Sequence, residues 1–208
     1  MPVEPLLYPA NLVVEGRRCL VVGGGKVARR KVEGLVACGA VVTVIAPEVD
    51  DWIAGVAASV HRRAYAAGDV AGFRLVIAAT GDPEVDRAIY DEADAAGIWV
   101  NAADEPQACS FTLPAVVRRG PIMVTVSTGG HSPALAVWLR SRIEDELGPE
   151  YGALLELLSE ERAAIQAAGR STEGLDWISA LDSNMLDLIR AGRIREARER
   201  LRACLSSS

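Results

Sequence analysis

The sequence predicts an α/β fold. A Rossmann-type, mostly parallel sheet comes first, followed by a β-hairpin/helix region and a small all-α C-terminal domain. Three observations carry this. Short apolar runs alternate with helical patterns between residues 18 and 101, and a glycine-rich turn joins the first run to the first helix. Beyond residue 149 apolar residues recur only at helical spacing, broken by residues 169–174 and Gly192.

The first apolar run, residues 19–22, stops at Gly23, where Gly23-Gly24-Gly25-Lys26-Val27-Ala28 supplies the pattern G-x-G-x-x-A. Val27, Ala28, Lys31, Leu35 and Cys38 then follow at helix spacing. Strand, glycine turn and helix in that order form the context that a dinucleotide fingerprint requires. Gly23 permits the tight turn, Gly25 lets backbone approach a pyrophosphate, and Ala28 lets helix pack on strand. The helix N-terminus offers N–H groups and a positive dipole end to the phosphates. Gly39 stops the helix, and β-branched residues 41–45 read as the second strand, ended by Pro47. A ribose-binding acid belongs at this point. Ala46 and Pro47 occupy it, and Glu48 is the first acid, equally placed as ribose contact or as a helix N-terminal residue. No arginine follows in that loop, which favours NAD over NADP.

Residues 60–65 read as a third strand carrying His61, Arg62 and Arg63, and residues 75–79 as a buried fourth. Asp82 as N-cap and Pro83 at the first helical position open a helix running to Ala96. Residues 98–101 make the next strand. Ligands of such sheets sit at the carboxyl ends of strands. Three loops qualify: residues 23–25, residues 79–81 with Thr80, and residues 101–104. The period then changes. Residues 111–117 and 121–127 flank Arg118-Arg119-Gly120, a hairpin signal with those three as the turn. A second glycine-rich loop follows, in which Ser132 and Pro133 open a helix over residues 134–147. Helical stretches at 151–168, 175–181, 185–191 and 194–205 complete the chain, with Leu154, Leu155, Leu158 and Ile165 as a core stripe. The expected domains are residues 1–112, 113–148 and 149–208.

The chain has 208 residues and a net charge of −6, which argues against a general nucleic-acid binder. Its four cysteines contain no C-x-x-C pair; Cys19 and Cys38 are expected as buried free thiols, as suits a reducing cytosol. The N-terminal residues lack a signal-peptide pattern and no apolar run is long enough for a membrane span, so a cytoplasmic protein without membrane contact is expected. No H-x-x-x-H or Cys-rich pattern supports a permanent metal site.

Two motifs lie outside any generic Rossmann pattern. They run from Asn101-Ala102-Ala103-Asp104 to Phe111, and over Val126-Ser127-Thr128-Gly129-Gly130-His131-Ser132-Pro133. Together with residues 22–28 they closely resemble the precorrin-2 dehydrogenase family, the N-terminal module of siroheme synthases. The likeness runs from about Leu12 to Leu147. It implies an NAD-binding Rossmann domain, a dimerisation region (residues 113–148), a helical domain and a homodimer. Family members oxidise precorrin-2 to sirohydrochlorin, and some also insert ferrous iron to give siroheme; which applies here the residues leave open. The family's three-function enzymes carry a further methyltransferase domain, for which 208 residues leave no room, so methylation is expected from another protein.

The resemblance makes Asp104 the catalytic aspartate, where a carboxylate beside the cofactor crevice can accept a proton. Without it Asp104 reads first as a loop-capping residue beside Pro106. Lys26 and Val27 match family positions at the cofactor phosphates, and Pro47 and Glu48 match the adenosine-side loop. The tetrapyrrole carries eight carboxylates, so an acidic protein must focus positive charge locally to hold it. Arg118, Arg119, Arg140 and Arg142 are candidates, with Ser127, Thr128 and the Gly129 and Gly130 amides as hydrogen-bond donors; alternatively that loop simply caps a helix and shapes the dimer. The position of His131 varies in the family, so no role carries over. A neutral imidazole there suits iron or a pyrrole proton, or is merely a loop histidine at a helix entrance. Two rival functions stay open: another NAD-linked oxidoreductase on this fold, and a non-catalytic NAD-binding sensor.

Overall fold

The computed structural model describes residues 6–103, 105 and 107–206. These form two compact units, one of Met1–Leu113 with Thr128–Ser132, the other of Pro114–Ser127 with Pro133–Ser208.

In the first unit the alternating runs become β1 (Arg18–Val22), β2 (Val41–Ile45), β3 (Ser59–His61), β4 (Leu75–Ala78) and β5 (Trp99–Ala102). All are parallel, in the order β3-β2-β1-β4-β5. Helices α1 (Lys26–Ala37), α2 (Asp51–Val56) and α3 (Pro83–Ala95) connect them. The central strands β1, β2 and β4 are largely apolar because both faces of the sheet are covered there. Cys19 and Val21 pack with Ala28, Val32 and Leu35 of α1 on one side, Leu20 and Val22 with Ile89 and Ala93 of α3 on the other. Strand order reverses between β1 and β4, which is the switch point where such sheets open a crevice.

Local chemistry sets the helix ends. The Asp82 carboxylate accepts from the N–H groups of Glu84 (3.0 Å) and Val85 (3.4 Å), with Pro83 behind it. At the end of α1, Gly39 has φ 74° and its N–H bonds to Val36 O, while Ala40 N–H bonds to Leu35 O at 3.0 Å. That is a Schellman close, which favours glycine. Cys38 sits at this C-cap and is exposed, contrary to the expected buried thiol: the buried stripe of α1 runs through Ala28, Val32 and Leu35, and Cys38 lies one position past the helix, off that line. β3 also ends sooner than expected. Arg63 N–H turns back onto His61 O at 3.0 Å, and the Arg63 guanidinium grips both oxygens of Asp69 at 2.6 and 2.7 Å.

In the second unit β6 (Ala115–Arg119) and β7 (Ile122–Val126) form an antiparallel hairpin on which α4 (Pro133–Glu146) packs. Arg118 and Arg119 belong to the strand rather than the turn. Arg119 pairs with Ile122, which leaves only Gly120 and Pro121 to reverse the chain. The Arg119 guanidinium donates to Leu147 O (2.6 Å) and Glu144 O (3.0 Å) and so caps the last carbonyls of α4.

Helices α5 (Glu150–Ala167), α6 (Trp177–Leu181), α7 (Met185–Arg190) and α8 (Ile194–Ser206) enclose a core of Leu154, Leu157, Ile165, Met185, Leu201 and their neighbours. The stripe of α5 runs through Leu154, Leu157, Glu161 and Ile165, with Leu158 half-buried against it; of the expected stripe, Leu155 is displaced by Leu157. Glu161 is tolerated on that stripe because Arg202 of α8 meets it at 2.8 Å. Leu201 is fully buried. Leu201→Ala is expected to destabilise the helical core by about 2–5 kcal/mol. Urea unfolding followed by circular dichroism reads this; an unchanged midpoint contradicts the packing.

Candidate functional site

A cleft of about 740 Å³ opens along the carboxyl edge of the sheet, within the range of cofactor sites. Gly23, Gly24, Gly25, Pro47, Glu48 and Thr80 all line it. The three glycines are there for three different reasons. Gly23 has φ 128°, and a Cβ on it would overlap the carbonyl oxygen of Ala79 at the end of β4. A Cβ on Gly24 would overlap the carbonyl oxygen of Glu48 and lie 2.8 Å from Val49 Cα. A Cβ on Gly25 would meet nothing within 4 Å. The first two glycines therefore let three loops meet backbone to backbone, and the third keeps clear the space before α1. Gly24 was hidden in the sequence because it fills a variable place in the fingerprint.

Gly25 is the N-cap of α1 and supplies no side-chain cap, so the N–H groups of the first turn face the cleft end without a side-chain acceptor. Lys26, exposed, and Val27, half-buried, are the first two residues of that helix. Ala28 is fully buried in the core against β1, as its small size suggests. Pro47 and Glu48 stand exposed on the β2 side.

Thr80 is held on the opposite side by Asp86, an acid in the first turn of α3 that is 4% exposed. Asp86 Oδ1 accepts from the Thr80 hydroxyl at 2.7 Å and from its N–H at 3.1 Å. Asp86 carried no sequence signal, since acids are common in first turns. Tyr65, also lining the cleft, donates a short hydrogen bond to Glu92. Burial, reinforced by that bond, raises the Tyr65 phenol above the ordinary tyrosine range.

The end of β5 is organised by Asn101. Its amide donates to Phe111 O (3.1 Å) and to Cys109 Sγ (3.3 Å), and Ser110 pairs with Val100 through backbone and hydroxyl. Residues 109–111 are thereby fixed against the end of β5. Asp104, the carboxylate expected to do the chemistry, lies outside the described residues. Glu105 Oε2 is a buried acceptor without a hydrogen-bond partner among the described residues. Burial pushes the Cys109 thiol up.

The expected substrate residues are divided between the units. Thr128, Gly129 and His131 belong to the first, Ser127, Arg118 and Arg119 to the second. The Thr128 hydroxyl donates to Ser132 O (3.0 Å) and accepts from Ser132 N–H (3.2 Å), closing the loop on itself with Gly129 and Gly130 at φ 58° and 80°. His131 and Arg118 are exposed, whereas Arg119 is engaged at the end of α4. Arg140 pairs with Glu144 at 3.3 Å, and Arg142 lies over the Trp138 ring. Among the described residues no group of three or more His, Cys, Asp or Glu could hold a metal ion, and no helix is long and apolar enough to cross a membrane.

Comparison with known proteins matches residues 10–115 to the family described as "Putative NAD(P)-binding" and residues 119–146 to "Sirohaem biosynthesis protein central". The chain is 37% identical over 203 residues to the siroheme synthase of Nitrosococcus oceani, covering 95% of this chain and 43% of that protein. It is 38% identical over 205 residues to the siroheme synthase of Methylobacillus flagellatus, covering 95% and 44%. The chain thus spans less than half the length of these curated relatives. The solved structure of "SirC, precorrin-2 dehydrogenase" matches with a TM-score of 0.68 at 26% identity, over 97% of this chain and 98% of that one. The first of these matches takes in the whole parallel sheet and its glycine loop: the chain belongs to the NAD(P)-binding family, in a form that carries the central segment of sirohaem biosynthesis proteins.

Proposed function

We propose that this protein oxidises precorrin-2 to sirohydrochlorin with NAD⁺ as acceptor. The observation that carries the proposal is the cleft at the β1/β4 switch point, with the open Gly25 and an α1 start free of side-chain caps. Likeness to siroheme synthases over 95% of the chain, and to a precorrin-2 dehydrogenase over 97%, supports the substrate. NAD⁺, when bound, supplies the nicotinamide that takes a hydride. The Gly25 region, with Lys26 and Val27, receives the pyrophosphate; Pro47 and Glu48 flank the adenosine ribose; Thr80, fixed by Asp86, borders the nicotinamide half.

Oxidation removes two hydrogens from the tetrapyrrole, one as hydride and one as a proton that needs an acceptor. Asp104 is assigned that proton, three residues after Asn101, whose amide donates to Phe111 O. Arg118, Ser127, Thr128, Gly129 and His131 are the candidates for the substrate carboxylates, while Arg119 serves the end of α4. Residues 1–112 carry the cofactor, 113–148 pair two copies of the chain in a homodimer, and 149–208 form the helical domain. On α4, Leu135 and Trp138, one turn apart, are 47% and 55% exposed, an apolar stripe suited to such pairing. A cytoplasmic setting fits the four free cysteines.

Supplying precorrin-2 and NAD⁺ should yield NADH and sirohydrochlorin together by absorbance; NAD⁺ binding without NADH release would favour a sensor. Adding Fe²⁺ afterwards tests insertion against the uncatalysed rate. Asp104→Ala should keep NAD⁺ affinity and lose about 10²–10⁴-fold in turnover, the usual worth of a positioned base. Near-normal turnover would remove Asp104 from the chemistry. Gly24→Ala must push the β2 loop away at an overpacking cost of about 1–3 kcal/mol, so NAD⁺ should bind about tenfold or more weakly by calorimetry. Unchanged affinity would show that the loop contact does not shape the site.

A further inference from the structure

We propose that Arg62 sets the cofactor preference of the cleft, offsetting Glu48 so that dinucleotides bearing a 2′-phosphate are accepted alongside NAD. This rests on the dinucleotide reading of the cleft. The β2 loop itself contains no arginine, but the parallel sheet brings one from the neighbouring strand. Ile45 is in register with His61, and Ala46 N–H donates to His61 O at 3.2 Å, which sets Arg62 beside the turn at Ala46 and Pro47. The Arg62 guanidinium reaches back to 3.5 Å from Val49 O, the carbonyl that follows Glu48. At that length the contact is a placement more than a bond. It puts a cation at the same loop as the acid expected to read the ribose.

The neighbouring arginines are already engaged. Arg63 is bidentate on Asp69, and Arg29 bonds Glu33 at 3.2 Å while stacking over Trp52. Arg62 is exposed and forms no ion pair among the described residues. A guanidinium presents a planar fork of donors that matches a phosphate, and such contacts are stronger than neutral ones. Glu48 alone accepts from a ribose 2′-hydroxyl and repels a 2′-phosphate. With Arg62 held at Val49 O, on the same loop, that repulsion is offset, while NAD, which needs only the acceptor, gains little from the cation. Arg62 is therefore a specificity-determining residue that the two dinucleotides feel unequally.

Calorimetric titration of the full chain with NAD⁺ and with NADP⁺ tests this. The wild type should bind NADP⁺ within about tenfold of NAD⁺, and Arg62→Ala should weaken NADP⁺ about tenfold or more while moving NAD⁺ less than about threefold. Arg62→Lys should retain part of the NADP⁺ affinity, and Glu48→Gln should strengthen NADP⁺. NADP⁺ affinity should also fall more steeply with salt than NAD⁺ affinity. A wild type that binds NAD⁺ but NADP⁺ more than about tenfold worse overturns the proposal alone. So does an Arg62→Ala variant, folded by circular dichroism, that loses both dinucleotides equally or neither. A wild type that binds neither overturns the dinucleotide reading of the cleft, and this proposal with it.

Discussion

The loop after β1 is wedged between two backbone carbonyls, and the rest of the site follows from that fit. Gly23 has room for no side chain because of Ala79 O, and Gly24 for none because of Glu48 O. The same segment is stitched to both neighbours by hydrogen bonds: Gly23 N–H to Ile45 O at 2.9 Å, Asp50 N–H to Gly24 O at 3.0 Å, and Ala79 N–H to Val22 O at 2.8 Å. The ends of β1, β2 and β4 therefore cannot shift independently. A cleft whose floor is fixed before ligand arrives avoids ordering costs at the moment of binding. Residues far apart in sequence, Glu48 and Thr80, owe their common placement to this backbone contact rather than to any attraction between them.

Against that rigid floor, the three helix starts along the carboxyl edge differ in one respect. Asp50 caps α2 through Trp52 N–H at 2.9 Å, and Asp82 caps α3. Each such cap stabilises its helix by roughly 1 kcal/mol. At α1 the cap position is Gly25, which has no acceptor to give. A cap there would compete for the same N–H groups that an anion needs, and it would fill the space that Gly25 leaves open. The helix whose start lacks a side-chain cap is also the one whose first turn follows the glycine loop. Stability is withheld at the position where a phosphate can supply it.

Elements buried on both faces were legible in the sequence because nothing but apolar runs can form them: β2 is found at residues 41–45 and β1 and β4 differ from expectation by one residue. Elements governed by a single long side chain were not. β3 ends early because Arg63 folds back to Asp69, and the hairpin turn moves past Arg119 because its guanidinium serves the α4 carbonyls. Cys38 lies exposed at a helix cap, and Leu157 rather than Leu155 faces the helical core, since one residue of phase decides which side of a helix is buried. In the site, Gly23, Gly25, Pro47, Glu48 and Thr80 were readable from the fingerprint and from strand ends. Gly24 and Asp86 were not. Their roles depend on what lies across a gap of 24 residues for Gly24 and Glu48, and on a side chain reaching back 6 residues for Asp86 and Thr80.

Arg62 extends the same point to selectivity. Along the chain from β2, Glu48 is the first acid and no arginine follows in that loop, which by itself points to a ribose met by an acid alone. In a parallel sheet, however, the residue beside the end of one strand is the end of its neighbour, reached only after a whole connecting helix. At the proposed ribose corner, charge is then the sum of two strand ends, Glu48 from β2 and Arg62 from β3. The overall charge of −6 says nothing about that corner, because a phosphate responds to groups within a few ångströms and distant surface charges are screened. On the proposal for Arg62, cofactor preference belongs to two adjacent strands, and substitution at either strand end resets it while the glycine loop and the sheet stay as they are.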